Sequence, residues 1–366
     1  MFDICVFAGR MRPPTAAHLA NIRAGLEASQ YVFVIIGSTG EAPHFKNPFT
    51  FDEVQTMIRG SLSAAENDRV FVHGVRDRDN DLAWVRDVQK IVHEQATALS
   101  IPGEPRIALV GCNKDGSSYY LKLFRQWGSI GVEPILNDGE SMSATAMRMA
   151  LYEAEDPGRV LKTWKDLFGA SYLPHGTFWF LRQWVNTEHF QQMRAEALFM
   201  RDELKKFPPN PYTGQPQQHN CGDFYLQHGG AVLLVKRGQM PGEGLWAVPG
   251  GHKHAYDTFR DAALRELGEE TSIFDLNEAI TPDVINSYIR GEKLLDNPWR
   301  SNREVTVSVA YGALLPGSFT RPLIEGADDA REARWWNIDE ITRDMMFEDH
   351  FNIVEDFSNR FRDLTI

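Results

Sequence analysis

The segment Phe207-Pro208-Pro209-Asn210-Pro211-Tyr212-Thr213-Gly214-Gln215-Pro216 holds four prolines in ten residues. Proline lacks an amide proton and its ring clashes with the preceding turn, so no helix crosses this stretch. It splits a chain of 366 residues, already long for a single core. The expected organisation is a first domain over 1–185, a charged connecting helix and Pro-rich linker over 186–216, and a second domain over 217–366.

The first half alternates short apolar runs (3–8, 31–37, 70–75, 106–111, 132–136) with helical stretches. That alternation predicts an α/β domain with a parallel sheet, helices on both faces and ligands at the carboxyl ends of the strands. The first such end is Gly9-Arg10-Met11-Arg12-Pro13-Pro14-Thr15-Ala16-Ala17-His18. Gly9 permits close backbone approach, the arginines bring positive charge, and Thr15 suits the start of a helix whose free N–H groups attract phosphate. Near the end of this half, Ser143 and Thr145 offer donors at another helix start, and Arg148 offers a bidentate partner for phosphate. Each pattern alone also reads as an ordinary helix histidine or an ordinary cap. Two of them in this order, about 125 residues apart, are hard to explain as caps. Other strand ends lead to Gly37-Ser38 and Lys46, to Asn80, Asp81 and Trp84, and to Gly111, Cys112 and Asp115.

In the second half, 250–273 feeds a Pro-Gly-Gly turn into Arg265-Glu266-Leu267-Gly268-Glu269-Glu270. At 100° per residue the three glutamates span a sector of about 100° on a helix, with Arg265 beside them. Leu264 and Leu267 lie on another side and pack inward. Such a face is either solvated surface or a seat for a divalent cation with oxygen ligands. Strands are expected at 230–237 and 304–315, with a third at 284–289, and 332–341 precedes a closing helix. Asp296-Asn297-Pro298-Trp299-Arg300-Ser301-Asn302-Arg303 sets two arginines beside a proline and a tryptophan, suited to a diphosphate with sugars and an adenine. A salt-bridged surface loop is the alternative reading.

The formal net charge is −12, which excludes general nucleic-acid affinity and requires anionic substrates to enter local positive pockets. The apolar runs are strand-sized, so neither a membrane span nor a membrane partner is expected. The first residues lack a basic segment ahead of an apolar region, so no signal peptide is expected. Three dispersed cysteines, Cys5, Cys112 and Cys221, suggest the reducing cytoplasm. The sequence leaves association into a homo-oligomer open.

Thr15-Ala16-Ala17-His18 resembles the (H/T)xxH signature of the nucleotidyltransferase superfamily, and Ser141–Arg148 resembles its ISxTxxR motif. With the intermediate segments, most of 1–185 is similar to archaeal-type nicotinamide mononucleotide (NMN) adenylyltransferases, with a Rossmann-like fold. The resemblance implies that NMN attacks ATP to give NAD and pyrophosphate. Gly9, Arg10, Lys46, Gly111, Asp115, Ser143 and Thr145 would then bind substrate, and Thr15, His18 and Arg148 would act in catalysis. Trp84 would stack on nicotinamide beside Asn80 or Asp81. The spacing from Gly251 through Asp257 to Arg265, Glu266, Glu269, Glu270 and Ser272 resembles the Nudix box, with Asp257 and Ser272 in place of the usual Glu and Gly. This implies a Nudix α/β/α sandwich with a mixed sheet. Glu266, Glu269 and Glu270 would hold Mg²⁺ or Mn²⁺, with Arg265 orienting a carboxylate and a base drawn from the acidic loop 325–332. The 296–303 segment resembles that of ADP-ribose-directed Nudix domains, so Trp246, Gly251, Arg300 and Arg303 would contact ADP-ribose. The implied protein is a bifunctional enzyme of NAD metabolism. Two alternatives stand beside it: a Nudix domain that senses ADP-ribose or NAD without turnover, and a first domain that modifies another phosphate substrate.

Overall fold

The computed structural model describes residues 1–364, except 79, 113–119, 134, 135, 138, 139, 142, 276, 277, 304, 318–321 and 327–329. The chain forms two compact units, Met1–Ala197 and Leu198–Ile366.

The first unit runs β1 (Phe2–Gly9), α1 (Ala16–Ala28), β2 (Ser29–Ile36), α2 (Phe51–Arg59), α3 (Ala64–Asn67), β3 (Val70–Gly74), α4 (Asp81–Ala98), β4 (Ile107–Gly111) and β5 (Gly128–Gly131). Two-residue strands β6 (Leu136–Asn137) and β7 (Glu140–Ser141) pair antiparallel. Helices α5 (Ala144–Glu153), α6 (Pro157–Phe168), α7 (His175–Trp184) and α8 (Glu188–Lys206) follow, the last crossing from the first unit into the second after Ala197. The main sheet is parallel, in the order β3-β2-β1-β4-β5. Ile4 through Ala8 of β1 are buried without alternation, the pattern of a strand covered on both faces. The strand order reverses between β1 and β4, so Gly9 and Gly111 end side by side at the switch point. The fifth strand of the sheet is Gly128–Gly131; of the 132–136 run where a strand was expected, 132 and 133 are not in a strand, 134 and 135 lie outside the described residues, and Leu136 opens β6.

The second unit contains β8 (His219–His228), β9 (Ala231–Arg237), β10 (Trp246–Ala247), β11 (Gly250–His252), α9 (Phe259–Glu270), β12 (Thr271–Asp275), β13 (Glu278–Ala279), α10 (Pro282–Asn286), β14 (Ile289–Leu295), β15 (Thr306–Leu315), β16 (Leu323–Gly326), β17 (Ala330–Asn337) and α11 (His350–Phe361). Its main sheet is mixed: β8 and β15 pair parallel over ten residues, while β9, β11 and β14 pair antiparallel with their neighbours. One core cluster lies on each face, with Phe224, Leu226, Ala263 and Leu267 on the α9 side and Tyr225, Phe357 and Phe361 on the α11 side. The alternation of Phe224, Tyr225 and Leu226 along β8 supplies both. The strand expected at 284–289 is instead the helix α10 followed by β14, because Thr281 caps the Val284 N–H and Pro282 takes the first helical position. Among the described residues no helix is long and apolar enough to cross a membrane.

Candidate active sites

In the first unit, the loop after β1 delivers Thr15 to the start of α1 in an extended conformation. The Thr15 backbone N–H donates to His18 Nδ1 at 2.9 Å, and Thr15 Oγ1 lies 2.9 Å from the same nitrogen. An amide can only donate, so Nδ1 accepts and the neutral ring carries its proton on Nε2. His18 is thereby set as a donor in the first turn of the helix.

Arg148 joins the two ends of the unit. Its Nη1 donates to the Arg12 carbonyl, 136 residues away, and its Nη2 donates to Thr145 Oγ1 at 3.2 Å. Arg12 is only 4% exposed and donates through Nη2 to the Gly37 and Ser38 carbonyls, each at 2.9 Å. Burial pushes both guanidiniums down to about 10. Ser38, at φ 53°, is fixed by Asp77, whose carboxylate accepts its Oγ–H at 2.6 Å and its N–H at 3.2 Å. His44 is pushed down to about 3, first by burial and then by Lys46, Arg12, Arg148 and Arg10. A neutral imidazole under the field of four cations marks a positive pocket in a chain of net charge −12.

The remaining positions of this half are distributed around strand ends. Arg10 is largely exposed, 3.9 Å from Asp77. Lys46 is exposed, with Nζ 5.5 Å above the Phe45 ring. Asn80 caps α4 by accepting the Ala83 N–H at 2.9 Å, and Asp81 follows, exposed. Trp84 is half-buried and packs edge-on against Tyr120 and Phe124, at 6.4 and 5.7 Å between centroids. Gly111 closes β4 where a Cβ would fall 2.8 Å from Leu121 Cδ2. Ser143 Oγ accepts the Ala146 N–H at 3.3 Å at the start of α5. Asp115 and the rest of 113–119 lie outside the described residues. Arg12, Asp77 and His44 were not singled out as site residues from sequence. Arg12 was visible as one of two loop arginines, but its burial was not.

In the second unit, α9 packs so closely on β8 that a Cβ on Gly222 would lie 2.4 Å from the Phe259 carbonyl oxygen. The glycine turn and the glutamates interlock. Gly250 N–H donates to Glu270 Oε2 at 3.0 Å, and a Cβ on Gly251 would fall 2.4 Å from Glu266 Oε1. Arg265 Nη1 donates to Glu266 Oε1 at 2.9 Å and to Glu269 Oε2 at 2.7 Å, while Nη2 donates to the His252 carbonyl at 2.8 Å. Asp257, one methylene shorter than the expected Glu, still accepts Arg265 Nε at 3.4 Å. Ser272 requires no left-handed conformation: α9 runs directly into β12 through Thr271 at φ −142°, ψ 144°.

Burial pushes Glu270 up to about 8; Gly250 N–H opposes this, and the charges of Glu266 and Asp223 add to it. Glu266 is raised by burial against the pull of Arg265. Asp223 is pushed up to about 6 by burial, although Arg300 and Ser308 lower it. Among the described residues no group of three or more His, Cys, Asp or Glu side chains is arranged as a ready metal site. The donor chemistry nevertheless suits a hard divalent cation, because crowded, partly buried carboxylates gain from such an ion. Glu266 and Glu270 are half-buried; Glu269 is exposed and shares Arg265 with Glu266.

Two residues expected at substrate are placed otherwise. Trp246 is 7% exposed in the core, edge-on to Trp336 at 5.2 Å. Arg300 forms a buried two-pronged pair with Asp349, Nε and Nη2 each at 2.8 Å, which ties its loop to the start of α11. Arg303 is half-buried, its guanidinium 5.7 Å from the Phe347 ring. In the acidic loop 325–332, residues 327–329 lie outside the described residues, and the side chains of 325–331 are not described.

Residues 224–357 match the NUDIX domain model. Over 195 residues the chain is 36% identical to the nicotinamide/nicotinic acid mononucleotide adenylyltransferase of Acinetobacter baylyi, covering 53% of this chain and 93% of that protein. Over 135 residues it is 24% identical to an ADP-ribose pyrophosphatase of Methanocaldococcus jannaschii, covering 37% of this chain and 70% of that protein. It is also similar to a bifunctional NMN adenylyltransferase/ADP ribose pyrophosphatase from Francisella tularensis, crystallised with AMP and a Mn ion. That structure superposes with a TM-score of 0.80 at 30% identity, covering 98% of this chain and 99% of that one.

Proposed function

This chain belongs to the bifunctional NMN adenylyltransferase/ADP-ribose pyrophosphatase family, and we propose that its two units carry those two reactions separately. The observation that carries the transferase half is Arg148 donating to the Arg12 carbonyl, which brings the Thr15–His18 turn and the α5 start into one positive pocket. In the reaction a phosphate oxygen of NMN attacks the α-phosphorus of ATP. The bond from that phosphorus to the β-phosphate oxygen breaks, and pyrophosphate leaves. No protein nucleophile is needed, so catalysis is positioning and charge stabilisation. His18 donates its Nε2 proton as a hydrogen bond to the phosphate oxygens as charge shifts among them. Arg12 and Arg148 supply preorganised positive charge, with Arg10 and Lys46 at the exposed rim. Trp84 stacks on the nicotinamide ring, near Asn80 and Asp81.

In the second unit the substrate is ADP-ribose and the products are AMP and ribose 5-phosphate. Glu266 and Glu270, with Glu269 beside them, would hold Mg²⁺ or Mn²⁺, which supplies Lewis acidity toward the diphosphate and an activated water. Arg265 orients Glu266 and Glu269 and is itself held by Asp257 and the His252 carbonyl. Gly250 fixes Glu270 through its backbone N–H. The retained Arg265–Glu266–Glu270 arrangement favours turnover over a silent sensor. The domain boundary falls within 186–216, and the cytoplasm is the compartment that supplies NMN, ATP and ADP-ribose.

Incubation with NMN, ATP and Mg²⁺, and separately with ADP-ribose and Mg²⁺, tests both halves by product identification. NAD with pyrophosphate, and AMP with ribose 5-phosphate, are the expected products. Binding of ADP-ribose without cleavage would establish the sensor instead.

A further inference from the structure

The part of α8 up to Ala197 belongs to the first unit, and one of its buried residues is a carboxylate. Glu196 is 7% exposed, a place where a carboxyl group is tolerated only with hydrogen-bond partners. Its Oε2 accepts the Phe45 N–H at 3.2 Å, from 151 residues away in the chain. The Phe45 carbonyl is held as well, by the Tyr152 hydroxyl of α5 at 3.2 Å. Both backbone polar groups of one loop residue are thus taken by side chains of two helices. Those helices are bound to each other. Arg194 of α8 donates through Nε to the Tyr152 carbonyl at 2.9 Å and through Nη2 to the Ala154 carbonyl at 2.7 Å, at the end of α5 where a helix leaves its carbonyls open. The Phe190 ring of α8 stacks on that of Tyr152, with 5.9 Å between centroids.

What these helices hold is a tight turn. His44 N–H donates to the Asn47 carbonyl at 3.4 Å and Asn47 N–H to the His44 carbonyl at 2.7 Å, which leaves Phe45 and Lys46 at the tip. Asn47 Nδ2 donates to the Ser38 carbonyl at 3.4 Å, the same carbonyl that accepts Arg12 Nη2 at 2.9 Å. Arg148 and Tyr152, one turn apart on α5, reach the Arg12 carbonyl and the Phe45 carbonyl respectively. The turn is therefore fastened to the frame that carries Arg12 and Arg148. Lys46 stands at its exposed tip with Nζ 5.5 Å above the Phe45 ring. On the other side of Phe45, His44 feels the charges of Lys46, Arg12, Arg148 and Arg10 together. A lysine stem is long and flexible, so the reach of its ammonium is set by where its backbone is held.

We propose that Glu196 is a positioning residue of the transferase unit: by holding the Phe45 backbone it fixes the turn from which Lys46 meets the phosphates of ATP, which makes α8 part of that site. This rests on the NMN adenylyltransferase reading of the unit and adds a residue that acts through Lys46 rather than on substrate. A helix that the sequence presents as a connector then also serves the reaction.

The test uses the full chain, with Glu196→Met, Lys46→Ala and the two combined, and with Glu196→Gln as the conservative change. Met keeps the length of the side chain and removes the acceptor, whereas Gln keeps an acceptor oxygen. In NAD synthesis Glu196→Met should raise KM for ATP about tenfold, the effect of one lost hydrogen bond to a charged group. KM for NMN and the rate of ADP-ribose hydrolysis should each stay within about twofold, and Glu196→Gln should recover most of the loss. In the Lys46→Ala background Glu196→Met should add less than about twofold, because residues that act through one another are not additive. A full tenfold rise in that background, an unchanged KM for ATP in Glu196→Met alone, or a Gln variant as weak as the Met variant overturns the assignment. Calorimetric Kd values for ATP with Mg²⁺ separate these failures from that of the transferase reading. If the wild-type chain makes no NAD, that reading falls. A tenfold weaker Kd in Glu196→Met that disappears without Lys46 still supports the positioning role, and an unchanged Kd removes it.

Discussion

The orientation of His18 is set by a single backbone amide. Because Thr15 N–H occupies Nδ1, the imidazole has one proton to offer and one direction in which to offer it. Removing a preorganised donor of this kind typically lowers kcat by roughly 10²- to 10³-fold. His18→Ala should do so for NAD synthesis and leave ADP-ribose hydrolysis within about twofold, as read by chromatography of both products. At Glu270 the sign of a pH effect can be worked out. Its folded value near 8 lies above the ordinary 4.5, so the folded protein binds the extra proton and stability falls as pH rises between those values. Asp223, at about 6 against 3.8, acts in the same direction over a narrower window. Without metal, the thermal midpoint of the second unit should drop between pH 6 and pH 8.5. Mg²⁺ or Mn²⁺ should raise it more at the higher pH, and Glu270→Gln should flatten both trends, all followed by calorimetry. The arginine and glutamates were legible in the sequence because their spacing is local. Arg12, Trp246 and Arg300 were not, because whether an arginine or tryptophan faces solvent, core or a distant carboxylate is decided by chain folded from elsewhere.

At the scale of elements, the repeated apolar runs foretold the parallel sheet, since a strand buried on both faces must be apolar throughout. The fifth strand was misplaced because Gly128-Ser129-Ile130-Gly131 has the composition of a turn and extends only by pairing with β4. The run at 284–289 contains Val284, Ile285 and Ile289 and suggests a strand, yet a Thr–Pro start made its first part helical. The seating of α9 on β8 depends on Gly222. Gly222→Ala would place a methyl 2.4 Å from the Phe259 carbonyl oxygen and 2.6 Å from the Ala263 nitrogen, both backbone atoms that cannot step aside. The helix must lift from the sheet, at an expected cost of about 1–3 kcal/mol. ADP-ribose hydrolysis should fall with it, while NAD synthesis persists; denaturant titration alongside both assays checks this.

For the whole molecule, the proline-rich segment was the plainest sign in the sequence, and residues 207–218 hold no helix or strand. Limited proteolysis should cut there, because exposed backbone outside regular structure is where proteases act. Both activities should survive the cut, and loss of either would show that the units depend on one another.

One detail of the first unit reaches beyond the reaction. Among the described residues, Arg12 and Arg148 are hydrogen-bonded to neutral oxygens rather than forked onto carboxylates, so two positive charges sit largely out of water with no carboxylate bonded to them there. Such a pair makes the choice of assay buffer matter. Sulfate or inorganic phosphate should compete with ATP, raising its apparent KM, whereas chloride at equal ionic strength should do so far less. An enzyme measured in phosphate buffer would look weaker than the same enzyme in a zwitterionic one.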